Sequence, residues 1–186
     1  MLKITLLSSL LTFSLLFQAC SSDEDKTAEA NALLAKNEIV LTATDSSQYL
    51  LKKVNDGFKL DNSDAEILIL DIFATWCPPC RAEASHLTSL QNKYKNRIKI
   101  IGVTIEENIQ NTKLENFKRD YNANYTLVNT PENKHLIDEV AKKLQLGSNF
   151  GIPLLVIYKD GKLIHYYQGA VEEEFIESDI KRALEI

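Results

Sequence analysis

Cys77 and Cys80 stand two residues apart in the stretch ATWCPPCRAE (residues 74–83), with Pro78 and Pro79 between them and Trp76 in front. Cysteines at this spacing can supply half of a zinc site, close a structural disulfide, or exchange electrons as a dithiol/disulfide pair. A structural zinc needs four ligands, usually from two pairs. The remaining cysteine, Cys20, lies far off near the N-terminus, and His86, His135 and His165 follow no ligand spacing. No metal is therefore expected, and each histidine reads as a surface or half-buried side chain. A structural disulfide between Cys77 and Cys80 would close a tiny loop and restrain little unfolded-state entropy. The redox reading is favoured, and its electrons need no cofactor beyond the sulfur pair.

The residues between the cysteines give the pair a direction. A proline disfavours a helical conformation in the residue before it, so Cys77 must lie at or before a helix start. There it meets the positive end of the helix dipole and unpaired N–H groups, which stabilise a thiolate. Cys80, Ala84, Leu87, Leu90 and Tyr94 form one stripe at helical period. Cys80 should therefore face inward. The expectation is an exposed, nucleophilic Cys77 and a shielded, resolving Cys80.

The pair must be held by the elements around it. EILILDIFA (66–74) is a nearly continuous apolar run that suits a central strand buried on both faces. RIKIIGVTI (97–105) reads as a second buried strand, TKLENFKRDY (112–121) as a helix, YTLV (125–128) as a short strand. NKHLIDEVAKKLQL (133–146) reads as a helix closed by Gly147. PLLVIYKDGKLIHYYQG (153–169) is a hairpin with KDG at its tip, and EEEFIESDIKRALEI a closing amphipathic helix. Before the cysteines, EIVLTA and SQYLLKKV read as short strands, with NDG (55–57) as a turn. Alternating strands and helices imply an α/β fold with a partly parallel, mixed sheet covered on both faces.

The N-terminus reads differently. Lys3 is followed by an uncharged apolar run from Ile4 to Phe17, too short to span a bilayer and suited to a signal segment. It ends at FQAC, which resembles a bacterial lipobox with Cys20 as the lipidated residue; the alternative is a plain secretory signal cleaved nearby, which would leave Cys20 an odd thiol on a soluble periplasmic protein. Phe17 and Gln18 depart from the preferred leucine and small residue. Removing residues 1–19 takes the formal charge from −5 to about −6. The polar stretch that follows, SSDEDKTAEANALLAKNE, reads as a tether, with a short helix near residues 28–36. The expected organisation is a signal peptide (1–19), a tether (20–37) and one domain (38–186). The acidic balance and the lack of a basic run argue against nucleic acid. Export places Cys77 and Cys80 where a disulfide can persist.

WCPPC after a buried strand and before a helix resembles the active site of the thioredoxin superfamily. Asp71, six residues before Cys77, matches the buried acid of thioredoxins. GIP (151–153) ahead of a strand matches the superfamily's cis-proline loop, with Pro153 as the cis residue. The long segment from about Thr104 to Gly147 resembles the strand-helix insertion of the membrane-tethered ResA/TlpA/CcmG-like branch, and Glu83 matches an acid found there. Ser85 departs from that branch, in which many members carry proline. Asp71 is typical of thioredoxins rather than of every ResA-like protein.

The resemblance implies a thioredoxin-like fold over residues 38–186 and a thiol:disulfide oxidoreductase. In it, Cys77 attacks and Cys80 resolves, and Asp71 or Glu83 takes the proton that Cys80 must lose. Acids in a first helical turn are also favoured by the dipole alone, which is the plainer reading of Glu83. Trp76, Pro78, Pro79, Ile152 and Pro153 would bind substrate, the backbone at Ile152 pairing with an added strand. The resemblance further implies an anchored periplasmic reductant of protein disulfides such as the haem-attachment cysteines of apocytochrome c, recharged by a membrane thiol reductase of the DsbD/CcdA type. A disulfide oxidase or isomerase, and a non-catalytic peptide-binding module, remain the alternatives.

Overall fold

The computed structural model describes residues 37–186 other than 55, 62 and 148. The expected signal segment, the lipidation at Cys20, the tether and its short helix lie outside the described residues.

The run at 66–74 forms strand β4 (Ile67–Phe73), in which every residue is buried. Only a strand with packed layers on both faces explains an apolar run without alternation. β4 is the centre of a five-stranded sheet of order β6-β5-β4-β7-β8, with β5 at Ile98–Thr104, β6 at Thr126–Val128, β7 at Leu154–Lys159 and β8 at Lys162–Gln168. β4, β5 and β6 run parallel, while β7 and β8 are antiparallel additions. The parallel crossovers are helices α1 (Pro78–Tyr94) and α2 (Asn111–Tyr121). α3 (Glu132–Lys143) leads to β7, and α4 (Glu173–Leu184) closes the chain. β1 (Glu38–Thr42), β2 (Gln48–Lys53) and β3 (Phe58–Leu60) make a separate antiparallel sheet.

Strand alternation sends neighbouring residues of β4 to opposite layers. Ile67, Ile69 and Phe73 pack with Leu87, Leu90, Phe117, Ile176 and Ile180 from the helices α1, α2 and α4. Leu68, Leu70 and Ile72 pack with Leu41, Leu51, Phe58, Leu136 and Val140 from the small sheet and α3. Asp71 belongs by alternation to the first layer, the one that holds both cysteines.

The expected elements are present, with one addition and one correction. The addition is β3, a three-residue strand too short to show a period in sequence. The correction concerns the end of α3. Its left-handed residue is Gln145 (φ 56°), and Gly147 has no positive φ. Leu144 and Leu146 pack against the second core layer and turn the chain before Gly147 is reached. The β7–β8 turn has positive φ at both Asp160 and Gly161 (50° and 81°), the conformation a two-residue hairpin loop requires.

Candidate active site

β4 delivers the chain to Ala74, and α1 begins at Pro78. Cys77 caps α1 in an extended conformation (φ −80°, ψ 114°), as a residue before proline should. Pro78 and Pro79 fill the first two helical positions and carry no N–H. The two amides that remain in this turn both point at Cys77. The Cys80 N–H donates to its Sγ at 3.3 Å, and the Arg81 N–H to its carbonyl at 3.1 Å. Cys77 and Cys80 are joined as a disulfide with their Cα atoms 5.3 Å apart.

The expected contrast in exposure between the two sulfurs is not observed. Cys77 is 2% exposed and Cys80 3%. The Cys77 N–H bonds back to the Ala74 carbonyl at 3.1 Å, which curls the loop inward, and its Sγ lies 3.8 Å from the carbonyl oxygen of Ile152. Hydrogen-bond environment, not accessibility, sets the two cysteines apart in the oxidised pair.

The surface around the pair is apolar. Trp76 is 56% exposed, so core packing does not account for it. Pro78 and Pro79 are exposed beside it and Ile152 is half-buried. The Ile152–Pro153 bond is cis, and Pro153 is buried. The loop bearing Trp76 is fixed from two sides. The Thr75 N–H donates to Glu106 Oε2 at 2.6 Å, and Arg81 Nε donates to the Thr75 carbonyl at 2.8 Å while its guanidinium lies over the Tyr121 ring.

On the cysteine side of the sheet are two buried acids. Asp71 is 3% exposed, and burial pushes its carboxyl up to about 7 despite one stabilising hydrogen bond, from the Tyr125 hydroxyl to Oδ2 at 2.7 Å. Glu83 is equally buried. Burial first, and the nearby Asp71 second, push it up to about 8, while the Val171 N–H donated to Oε1 at 3.1 Å acts the other way. Its Oε2 is buried without a partner. Because α1 starts at Pro78, Glu83 lies in its second turn, where the dipole no longer accounts for an acid; no acid occupies the first turn.

Sequence reasoning did not single out Tyr125, Glu106, Arg81 or Val171. Tyr125 had a usable signal. It opens the YTLV strand; pairing that strand with β5 sets Leu127 opposite Gly102, which is in register with Asp71, and alternation puts Tyr125 on the same face as Leu127. Glu106 and Val171 sit in loops whose course no periodicity fixes. Among the described residues no group of three or more His, Cys, Asp or Glu is gathered as a metal site.

A family model described as Redoxin matches residues 55–184. The thiol-disulfide oxidoreductase ResA of Bacillus subtilis is 24% identical over 150 residues, 78% of each chain. Among solved structures, a thioredoxin-family thiol:disulfide interchange protein from Chlorobium tepidum TLS superposes with a TM-score of 0.60 at 20% identity, covering 80% of this chain and 94% of that one. StoA from Bacillus subtilis gives 0.55 at 16% identity, with 77% and 96% covered. These structures share the thioredoxin-like fold of the chain.

Proposed function

Because the chain belongs to the Redoxin family, we propose that Cys77 and Cys80 reduce disulfides of exported proteins, with Asp71 and Glu83 handling the proton that the exchange releases. The chain is a thiol-disulfide oxidoreductase with a C-x-x-C pair. The direction, the substrate and the proton acceptors are the parts proposed.

The reaction runs in two exchanges. The Cys77 thiolate attacks one sulfur of a substrate disulfide; a Cys77–substrate disulfide forms, and the other substrate sulfur leaves as a thiolate that takes up a proton. Cys80 then gives up its proton and attacks Cys77 Sγ. The Cys77–Cys80 bond forms and the second substrate thiolate departs. Two electrons pass from the cysteine pair to the substrate. A buried thiol is a poor acid, so the second exchange needs a base nearby. Asp71 and Glu83 lie within electrostatic reach of each other on the cysteine side of the sheet, with affinities for protons near neutrality, where a base works best.

One observation carries the reducing direction. With prolines at the first two helical positions, Cys77 Sγ receives a single amide hydrogen bond. A strongly oxidising pair owes its character to a well-stabilised reduced form. A thiolate with one donor, on the same side of the sheet as two buried acids that resist further negative charge, is stabilised less. The exposed Trp76 and the half-buried Ile152 at the cis bond offer an apolar platform and a strand edge for an extended substrate, with Pro78 and Pro79 at its rim.

A substrate such as the paired cysteines of an apocytochrome c haem site fits this reading. So does recharging by a membrane thiol reductase of the DsbD/CcdA type, and a periplasmic location with a lipid on Cys20. Electrons are stored in the sulfur pair, so no bound cofactor is invoked. The decisive experiment replaces Cys80 with alanine and adds a disulfide-containing protein. The variant should accumulate a mixed disulfide through Cys77 that dithiothreitol releases, and Cys77→Ala should form none. Failure of Cys80→Ala to trap any disulfide-bearing protein would leave a non-catalytic binding module as the better reading.

A further inference from the structure

The layer between sheet and α1 contains a third polar group beside the two acids. Tyr125 is 4% exposed, immediately precedes β6, and its hydroxyl reaches across β5 to Asp71 on β4. That reach depends on what β5 presents between them. Gly102 is in register with Asp71 on one side and with Leu127 on the other. A Cβ at position 102 would lie 3.0 Å from Cε2 of the Tyr125 ring and 2.6 Å from Cδ2 of Leu127. The missing side chain is the gap through which the phenol meets the carboxylate.

The ionisable groups facing Asp71 are few. Tyr125 comes from the β6 side and Glu83 from α1, and the sulfurs of Cys77 and Cys80 head α1 in the same layer. β5 and β7 contribute only Gly102 and Leu155 in register with it. Among the described residues no cation takes part, and the phenol is the one hydrogen-bond donor to this carboxylate. Burial, with Asp71 and Glu83 adding to it, keeps the phenol itself protonated far above neutrality, so it always donates and never competes for the proton.

We infer that Tyr125 is a positioning residue for the resolving exchange: its hydroxyl holds Asp71 in place and favours its ionised form, so that Asp71 is the acid free to accept the Cys80 proton while Glu83 holds its own. The inference rests on the proton-acceptor reading of Asp71 above. A charge-assisted hydrogen bond of this kind is short and roughly twice as strong as a neutral one. Glu83 has only the Val171 amide and an unpartnered Oε2, which fits the protonated member of the pair.

The test uses the reduced full-length chain and 2,2′-dithiodipyridine. The first pyridine-2-thione is released when Cys77 attacks, the second when Cys80 closes the disulfide, and the second release does not depend on probe concentration. Its rate is followed across pH for the parent, Tyr125→Phe, Asp71→Asn and the double variant. Tyr125→Phe should move the midpoint of the second phase up by about one pH unit and slow it about tenfold below that midpoint, with the first phase unchanged. The double variant should match Asp71→Asn. Site-specific 3-fluorotyrosine at 125, a stronger donor of the same shape, should move the midpoint down and keeps the question open to an answer if the phenylalanine variant folds poorly. A profile that changes with Asp71→Asn but not with either Tyr125 replacement overturns the role of Tyr125 and leaves the proton role of Asp71 standing. A profile indifferent to Asp71→Asn overturns both.

Discussion

A carboxyl that keeps its proton to about pH 7 or 8 inside a folded chain leaves a signature in stability as well as in rate. Asp71 and Glu83 have folded-state proton affinities above their ordinary values of 3.8 and 4.5. Between those limits the native state holds protons that the unfolded chain has lost. The contribution is fully present below about pH 4 and is lost as pH rises through about 7 and 8. Denaturant unfolding should accordingly show stability falling by several kcal/mol between pH 5 and pH 9. Glu83→Gln, which cannot ionise, should flatten much of that slope and be the more stable protein at pH 9. In kinetics, Asp71→Asn should slow the resolving exchange near pH 7 by about a hundredfold while sparing the initial attack by Cys77. An equal slowing of both phases would deny Asp71 its proton role. Much of this site was legible in the residues themselves. The two prolines fixed Cys77 as a helix cap, and Asp71 stood out as an acid within an otherwise apolar strand. What could not be read was exposure: the burial of Cys77 depends on how the Ile152 loop, seventy-five residues away, folds over it.

At the scale of elements, the site is built at the C-terminal end of the central strand β4. The strand carries Asp71 on the face turned to the cysteine layer, ends at Phe73, and releases the loop that Glu106 and Arg81 clamp. Gly102 on β5 is the position where packing is least forgiving. Gly102→Ala should cost about 1–3 kcal/mol, because the new Cβ meets Leu127 and the Tyr125 ring at distances that side chains in a packed layer cannot easily yield. Thermal or urea unfolding checks this, and a neutral result would show that β6 can shift. Leu87, fully buried on the inward stripe of α1, should lose about 2–5 kcal/mol on truncation to alanine. Elements with strong periods, such as α1, β4 and the β7–β8 hairpin, follow directly from pattern and turn chemistry. β3 and the end of α3 do not, because tertiary contacts decide them: Phe58 and Leu60 are held by burial in the second layer, and Leu144 and Leu146 turn the helix end at Gln145.

Over the whole molecule, the design is a five-stranded sheet whose two layers do different work. The small N-terminal sheet and α3 cover one side with a largely apolar cluster, in which Asn133 of α3 bonds backbone carbonyls. The other side carries the cysteines, both acids and Tyr125 in one apolar layer, where low polarity raises proton affinities and magnifies any charge that forms. A layer of that kind resists a stable thiolate, which is the physical basis of the proposed reducing direction. The claim is tested most directly by the equilibrium reduction potential of Cys77–Cys80, measured in the full-length chain against dithiothreitol or glutathione buffers. The account predicts a value near about −270 mV or lower, in the range of thioredoxin-like reductants. A value between about −120 and −180 mV, in the range of oxidants and isomerases, would mean that the reduced pair is stabilised and would contradict it.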